Sequence, residues 1–127
     1  MNQSFSATPS ARSLAGGVGT HIIADFWGAS VPENTKELKA ILWEAAEQAG
    51  GTPLKFSAHR FRPFGITAVL ILSESHIAIH TWPELSYAAV DAFTCGKAKP
   101  RKAISYLKKQ FHPVKSFVQE FSRGIQK

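Results

Sequence analysis

Between Thr67 and Cys95 the chain collects most of the side chains able to do covalent or acid–base chemistry: Thr67, Ser73, Glu74, Ser75, His76, His80, Glu84 and Cys95. His76 and His80 form an HxxxH pair, a spacing that converges on one metal ion when it lies on a helix. On a strand the same pair shares a face but stands about 13 Å apart, at about 3.3 Å rise per residue. The surrounding residues read as strand, so no metal is expected there. Cys95 is the single cysteine, which excludes an internal disulfide and a cysteine-based zinc site. It offers either a nucleophile or a small buried hydrophobe. Ser75, taken alone, is an ordinary turn serine. The chain has no phosphate loop, dinucleotide fingerprint or GxSxG elbow. The signal is the concentration itself: a wholly apolar run, Ile66 to Leu72, is broken by Ser-Glu-Ser-His. That is an odd interruption for a strand with only a structural task.

A second chemistry lies close by. Phe61, Phe64, Trp82, Tyr87 and Phe93 sit near Arg60 and Arg62 in sequence, a mixture that can stack on bases, although the same aromatics serve equally well as core. The formal net charge of +6 is unevenly spread. From Lys97 onward nine Lys/Arg meet one acid, Glu120, whereas up to Gly96 six Lys/Arg meet eight acids. A basic C-terminal third fits a polyanion partner, but a solvated helix face is the commoner origin of such a run.

These residues need a scaffold. A chain of 127 residues, 44% hydrophobic and 19% charged, makes one domain with a real but modest core, and an active site shared between subunits suits that size. The longest apolar run is too short to span a bilayer. No secretory signal is visible, and a reduced cytoplasm is the expected compartment. Residues 1–17, rich in Ser, Ala and Gly, read as a disordered tail rather than a targeting segment, which leaves 18–127 as the domain.

Residues 18–27 read as a strand. Val31-Pro32-Glu33-Asn34 opens a helix, and Leu38, Ile41, Leu42, Ala45, Ala46 and Ala49 then recur at helical spacing until Gly50-Gly51. Segments 53–61, 66–72, 76–82 and 87–94 read as strands, parted by Pro63-Phe64-Gly65, Ser73-Glu74-Ser75 and Pro83-Glu84. Pro100 suits the first turn of a second helix with Ile104, Leu107 and Phe111 on one face, and 114–121 is a last strand. The order, abbreviated βαβββαβ, predicts an α+β fold: a two-layer α/β sandwich with a largely antiparallel sheet and two helices on one face.

The stretch ILSESHIAIHTWPELSYAAVDAFTCG, Ile71 to Gly96, resembles the signature of bacterial and archaeal S-adenosylmethionine decarboxylase proenzymes. The likeness extends upstream through His59-Arg60-Phe61, Pro63-Phe64-Gly65-Ile66 and THIIADFWG at 20–28, and weakens beyond Gly96. The resemblance implies a chain that cuts itself between Glu74 and Ser75. Ser75 Oγ would attack the Glu74 carbonyl, turning the amide into an ester. β-Elimination would then expel the carboxylate, and the dehydroalanine would hydrolyse to a pyruvoyl group. That cofactor would form a Schiff base with S-adenosylmethionine and act as an electron sink for loss of CO2, giving the aminopropyl donor for spermidine synthesis. The resemblance also implies roles. His80 takes the Ser75 Cα proton during processing, and Thr67 supplies an assisting hydroxyl. Cys95 is the proton donor to the substrate carbon. Phe61 and Ile77 pack the adenine, and Glu84 holds the ribose hydroxyls.

If residues 75–80 are extended, Ser75 and His80 of one chain stand about 16 Å apart. The family resolves this with a homodimer whose sites lie at the interface, and the resemblance implies that Ser75 and Cys95 come from one subunit, with Thr67 and His80 from the other. The chain departs from the family at Thr67-Ala68, where Ser-Gly is usual and the added methyl stiffens χ1, and at Ala29, where many relatives carry a second cysteine. Two other readings stand beside this one. The first is the same pyruvoyl chemistry on arginine or ornithine, against which Phe61 and Glu84 argue. The second is a non-enzymatic basic domain that binds nucleic acid, against which the set Glu74, Ser75, His80 and Cys95 argues.

Overall fold

Alternation along the strands decides which side of the molecule each residue serves. In 87–95 every second residue is buried, Ala88, Val90, Ala92 and Thr94, and the residues between them are not. The computed structural model describes residues 17–126; the tail expected at 1–17 lies outside them except for Gly17. The elements are β1 (Gly19–Trp27), α1 (Thr35–Gln48), β2 (Pro53–Arg60), β3 (Ile66–Leu72), β4 (Ser75–Trp82), a 3₁₀ turn at Pro83–Leu85, β5 (Tyr87–Cys95), α2 (Pro100–Phe111) and β6 (Lys115–Arg123). The strands form one sheet in the order β2-β3-β4-β5-β1-β6, with every neighbouring pair antiparallel.

The fold class is the expected one, and all four strands read between the helices are present, one more than the abbreviation βαβββαβ counts. Leu72 pairs directly with Ser75, so Ser73-Glu74 is a hairpin loop and the segments on either side of it are full strands. Four strands therefore separate the helices.

α1 starts where Asn34 Oδ1 accepts the Glu37 backbone N–H at 2.9 Å, an N-cap that satisfies one of the free donors of the first turn. Its apolar stripe buries Leu38, Leu42, Ala45 and Ala46. α2 begins on Pro100 and buries Ala103, Ile104, Leu107 and Phe111. Both stripes lie on one face of the sheet, against Ile22, Ala24 and Phe26 of β1, Ala68, Leu70 and Leu72 of β3, Ile77 and Ile79 of β4, and Ala88, Val90 and Ala92 of β5. On α2, Arg101, Lys102, Lys108 and Lys109 are exposed, and Arg101 makes a two-pronged contact with Glu120 at 2.7 and 2.8 Å. The basic C-terminal third is thus, in its helix, a solvated face.

The register carries two rows of side chains across the other face. One runs Ile71, His76, Phe93, His21, Phe121, and the second His59, Thr67, His80, Ala89, Asp25, Phe117. Among the described residues no helix covers this face. Ile23, Trp27, Ile71, Trp82, Phe117 and Phe121 are exposed on it.

Candidate active site

The Ser73-Glu74 loop ends on an abnormal backbone. Ser75 has φ 137°, a region that side-chain-bearing residues rarely enter and that costs about 1–3 kcal/mol. The neighbouring Glu74 is held at both of its ends. Its carboxylate accepts the Thr52 N–H at 2.9 Å and the Thr52 hydroxyl at 3.4 Å. Its carbonyl oxygen, part of the Glu74–Ser75 peptide bond, accepts the Cys95 backbone N–H at 3.0 Å. A donor on that oxygen polarises the carbonyl and stabilises negative charge developing there. The turn that supplies the donor is fixed in its own right, since the Thr94 hydroxyl donates to the Ala98 carbonyl at 3.1 Å.

Cys95 is free and half-buried. Burial pushes its thiol up, a backbone hydrogen bond draws it part of the way back, and the Glu74 carboxylate pushes it up again, so that it lies above the ordinary thiol value. A thiol held protonated at neutral pH suits a proton donor better than a nucleophile. The pairing of Ser75 with Thr94 places Ser75 and Cys95 at the same end of the sheet.

Beside them a polar chain crosses four neighbouring strands, β4, β5, β1 and β6. Ser75 Oγ lies 3.3 Å from His76 Nδ1. His76 Nε2 lies 2.7 Å from Asp91 Oδ2, and His21 Nε2 lies 2.8 Å from the same oxygen. Arg123 Nη1 donates to His21 Nδ1 at 2.9 Å. Burial alone would raise the Asp91 carboxyl, but the hydrogen bonds from His76 and His21 outweigh it and leave the group below its ordinary value. His21, His76 and Asp91 place ligand-type atoms within 4.8 Å of one another. His76 thus meets Asp91 and His21, and not His80, in agreement with the strand reading of HxxxH.

His80 belongs to the other end of the face. Its Nδ1 lies 3.0 Å from Thr67 Oγ1, and the two residues are cross-strand partners. Around them Phe61, Phe64, Thr67, His80, Trp82 and Glu84 line a hollow of about 290 Å³. Phe61 is exposed at its rim. Phe61, Thr67, His80 and Glu84 therefore come together, Glu74, Ser75 and Cys95 come together, and within one chain the two sets remain apart. Ile77 joins neither. It is fully buried among the helix-facing residues, because the alternation that turns His76 and His80 to the open face turns Ile77 away from it. The expected adenine contact from Ile77 is corrected accordingly.

Sequence reasoning missed His21, Asp91 and Arg123. The available signal was a lone charged residue within the otherwise apolar run Ala88–Phe93 and a histidine at an outward position of β1.

The S-adenosylmethionine decarboxylase family matches this chain over residues 20–124, so the likeness continues well beyond Gly96. An S-adenosylmethionine decarboxylase proenzyme of Thermosipho melanesiensis is 46% identical over 110 residues, covering 84% of this chain and 85% of the relative. A proenzyme of the same description from Methanococcus maripaludis is 42% identical over 111 residues, covering 85% and 91%. The crystal structure of the adenosylmethionine decarboxylase from Aquifex aeolicus superposes with a TM-score of 0.81 at 35% identity, covering 89% of this chain and 96% of that one. Matched along nearly its whole described length in sequence and in fold, the chain belongs to the S-adenosylmethionine decarboxylase family.

Proposed function

We propose that this protein is a self-cleaving decarboxylase of S-adenosylmethionine, cut between Glu74 and Ser75, with Ser75 as the precursor of a pyruvoyl group. The observation that carries this reading is the state of that peptide bond. Its serine is strained at φ 137°, and its carbonyl oxygen receives the Cys95 N–H at 3.0 Å. Strain relieved on cleavage and a donor on the developing oxyanion both favour attack by Ser75 Oγ. A pyruvoyl group formed there supplies an electrophilic carbonyl for the substrate amine and an electron sink for the carbanion left by CO2.

The residues around it divide the remaining work. Cys95, protonated above the ordinary thiol range, stands ready to return a proton to the substrate carbon. The hollow of Phe61, Phe64, Trp82 and Glu84 offers aromatic surface for adenine and a carboxylate for ribose hydroxyls. That pairing favours a nucleoside-bearing substrate over arginine or ornithine. His80 and Thr67 are assigned to processing.

Because those two residues lie at the far end of the face, the complete site takes Ser75 and Cys95 from one protomer and Thr67 and His80 from its partner. A two-fold dimer closed face to face over Ile23, Ile71 and Phe121 would bring them together and bury that apolar surface. The test is release of CO2 from carboxyl-labelled S-adenosylmethionine, blocked by a carbonyl reagent such as phenylhydrazine. Turnover that such a reagent leaves untouched would remove the pyruvoyl group from the reading. Turnover of ornithine or arginine alone would overturn the substrate.

A further inference from the structure

The geometry points to His76 as the base that starts self-cleavage, taking the proton of Ser75 Oγ, with Asp91, His21 and Arg123 as the positioning chain that sets its tautomer. This rests on the self-cleavage reading above and adds a step to it, since His80 is assigned only the later Cα proton.

The direction of each hydrogen bond follows from its far end. Arginine has only N–H donors and stays protonated, so Arg123 Nη1 must donate to His21 Nδ1, 2.9 Å away. A neutral imidazole carries one N–H, and that of His21 is thereby placed on Nε2, aimed at Asp91 Oδ2 at 2.8 Å. Ionised Asp91 can only accept. It therefore also requires the N–H of His76 on Nε2, 2.7 Å away. What remains on His76 is an unprotonated Nδ1, and it faces Ser75 Oγ at 3.3 Å. The serine hydroxyl donates to it. The serine, the histidine and its carboxylate stand in the order in which a hydroxyl nucleophile is activated.

The step balances within the chain. His76 Nδ1 takes the Oγ proton as Oγ bonds to the Glu74 carbonyl carbon, whose oxygen is held by the Cys95 N–H at 3.0 Å. The C–N bond then breaks, and the proton on Nδ1 passes to the departing Ser75 nitrogen. The products are an ester between Glu74 and Ser75 Oγ and a free amine on Ser75, with no external reactant.

The same three ligand atoms could instead collect a metal ion. The cationic guanidinium already on His21, and the two imidazoles already donating to one carboxylate oxygen, favour the proton chain.

The experiment follows newly synthesised chains from cell-free translation by denaturing mass spectrometry, with and without hydroxylamine, which cleaves an ester but not the amide. The wild type is expected to be cut. His76→Ala and His76→Gln should be cut at least about 100-fold more slowly, the usual range for a lost general base. Neither should yield a hydroxylamine-sensitive ester, and added imidazole should restore cutting of His76→Ala, which a misfolded chain would not allow. His80→Ala should by contrast accumulate the ester. Cutting of both His76 variants at close to the wild-type rate, or accumulation of the ester in them, would overturn the assignment. So would loss of wild-type cutting with a chelator, which would make the cluster a metal site. A wild-type chain that stays whole and forms no ester would instead overturn the self-cleavage reading beneath it.

Discussion

The two ends of the open face do different work with similar means. At one end Ser75, Glu74 and Cys95 are fixed by backbone: a positive φ, a hairpin loop and a carbonyl bonded across to the next strand. At the other, Thr67, His80, Phe61 and Glu84 are side chains standing around a hollow, joined by a single bond of 3.0 Å. In the proposed function the first end breaks a peptide bond and the second receives a ligand. Five residue steps along extended β4, from Ser75 to His80, hold them apart, so under the proposed function one chain carries both halves of the site without uniting them.

The largest expected effect is at the cleavage end. Ser75→Ala removes the nucleophile, so the chain should remain whole and inactive. Cutting that persists at the same bond would show that the strained serine is not the attacking group.

The division between ends is tested next by mixing. Ser75→Ala and His80→Ala should each be inactive alone and regain activity when co-assembled, since one site of the mixed dimer then has both residues. A mixture as inactive as its parents would place the whole site within one protomer.

Cys95→Ala should be cut as the wild type is, yet turn over about 10²–10³-fold more slowly, as for a lost general acid. The raised thiol adds a pH test. Because protonation persists above the ordinary thiol range, alkylation by iodoacetamide, which needs the thiolate, should stay slow at pH 8 and accelerate only at higher pH. Rapid alkylation at pH 7 would contradict the proton-donor role.

The smallest effects belong to the hollow. Glu84→Gln should leave cutting unchanged and raise KM about tenfold, equivalent to about 1.4 kcal/mol, near the worth of one hydrogen bond to a charged group. A fall in kcat with KM unchanged would move Glu84 from binding to chemistry.

Much of this was legible beforehand, for local reasons. The apolar spacing of Leu38, Leu42 and Ala45, and the alternation through β5, are short-range patterns that burial follows directly. The Ser-Glu-Ser-His interruption marked the cleavage end because polar residues are costly in the middle of a buried strand. The histidine–aspartate chain was not legible. Its bonds join residues 70 and 102 positions apart, and only the pairing of β1 with both β5 and β6 brings them together. Ile77 failed in the opposite way. Its role was carried over from relatives, whereas the alternation of β4 already assigned it to the covered face.

The central claim is that the chain cuts itself at Glu74–Ser75, and the denatured mass of the purified protein tests it most directly. The account predicts two pieces, residues 1–74 and 75–127, the second without a reactive N-terminal amine. One intact mass, or a cut leaving serine with a free amine at position 75, would contradict it.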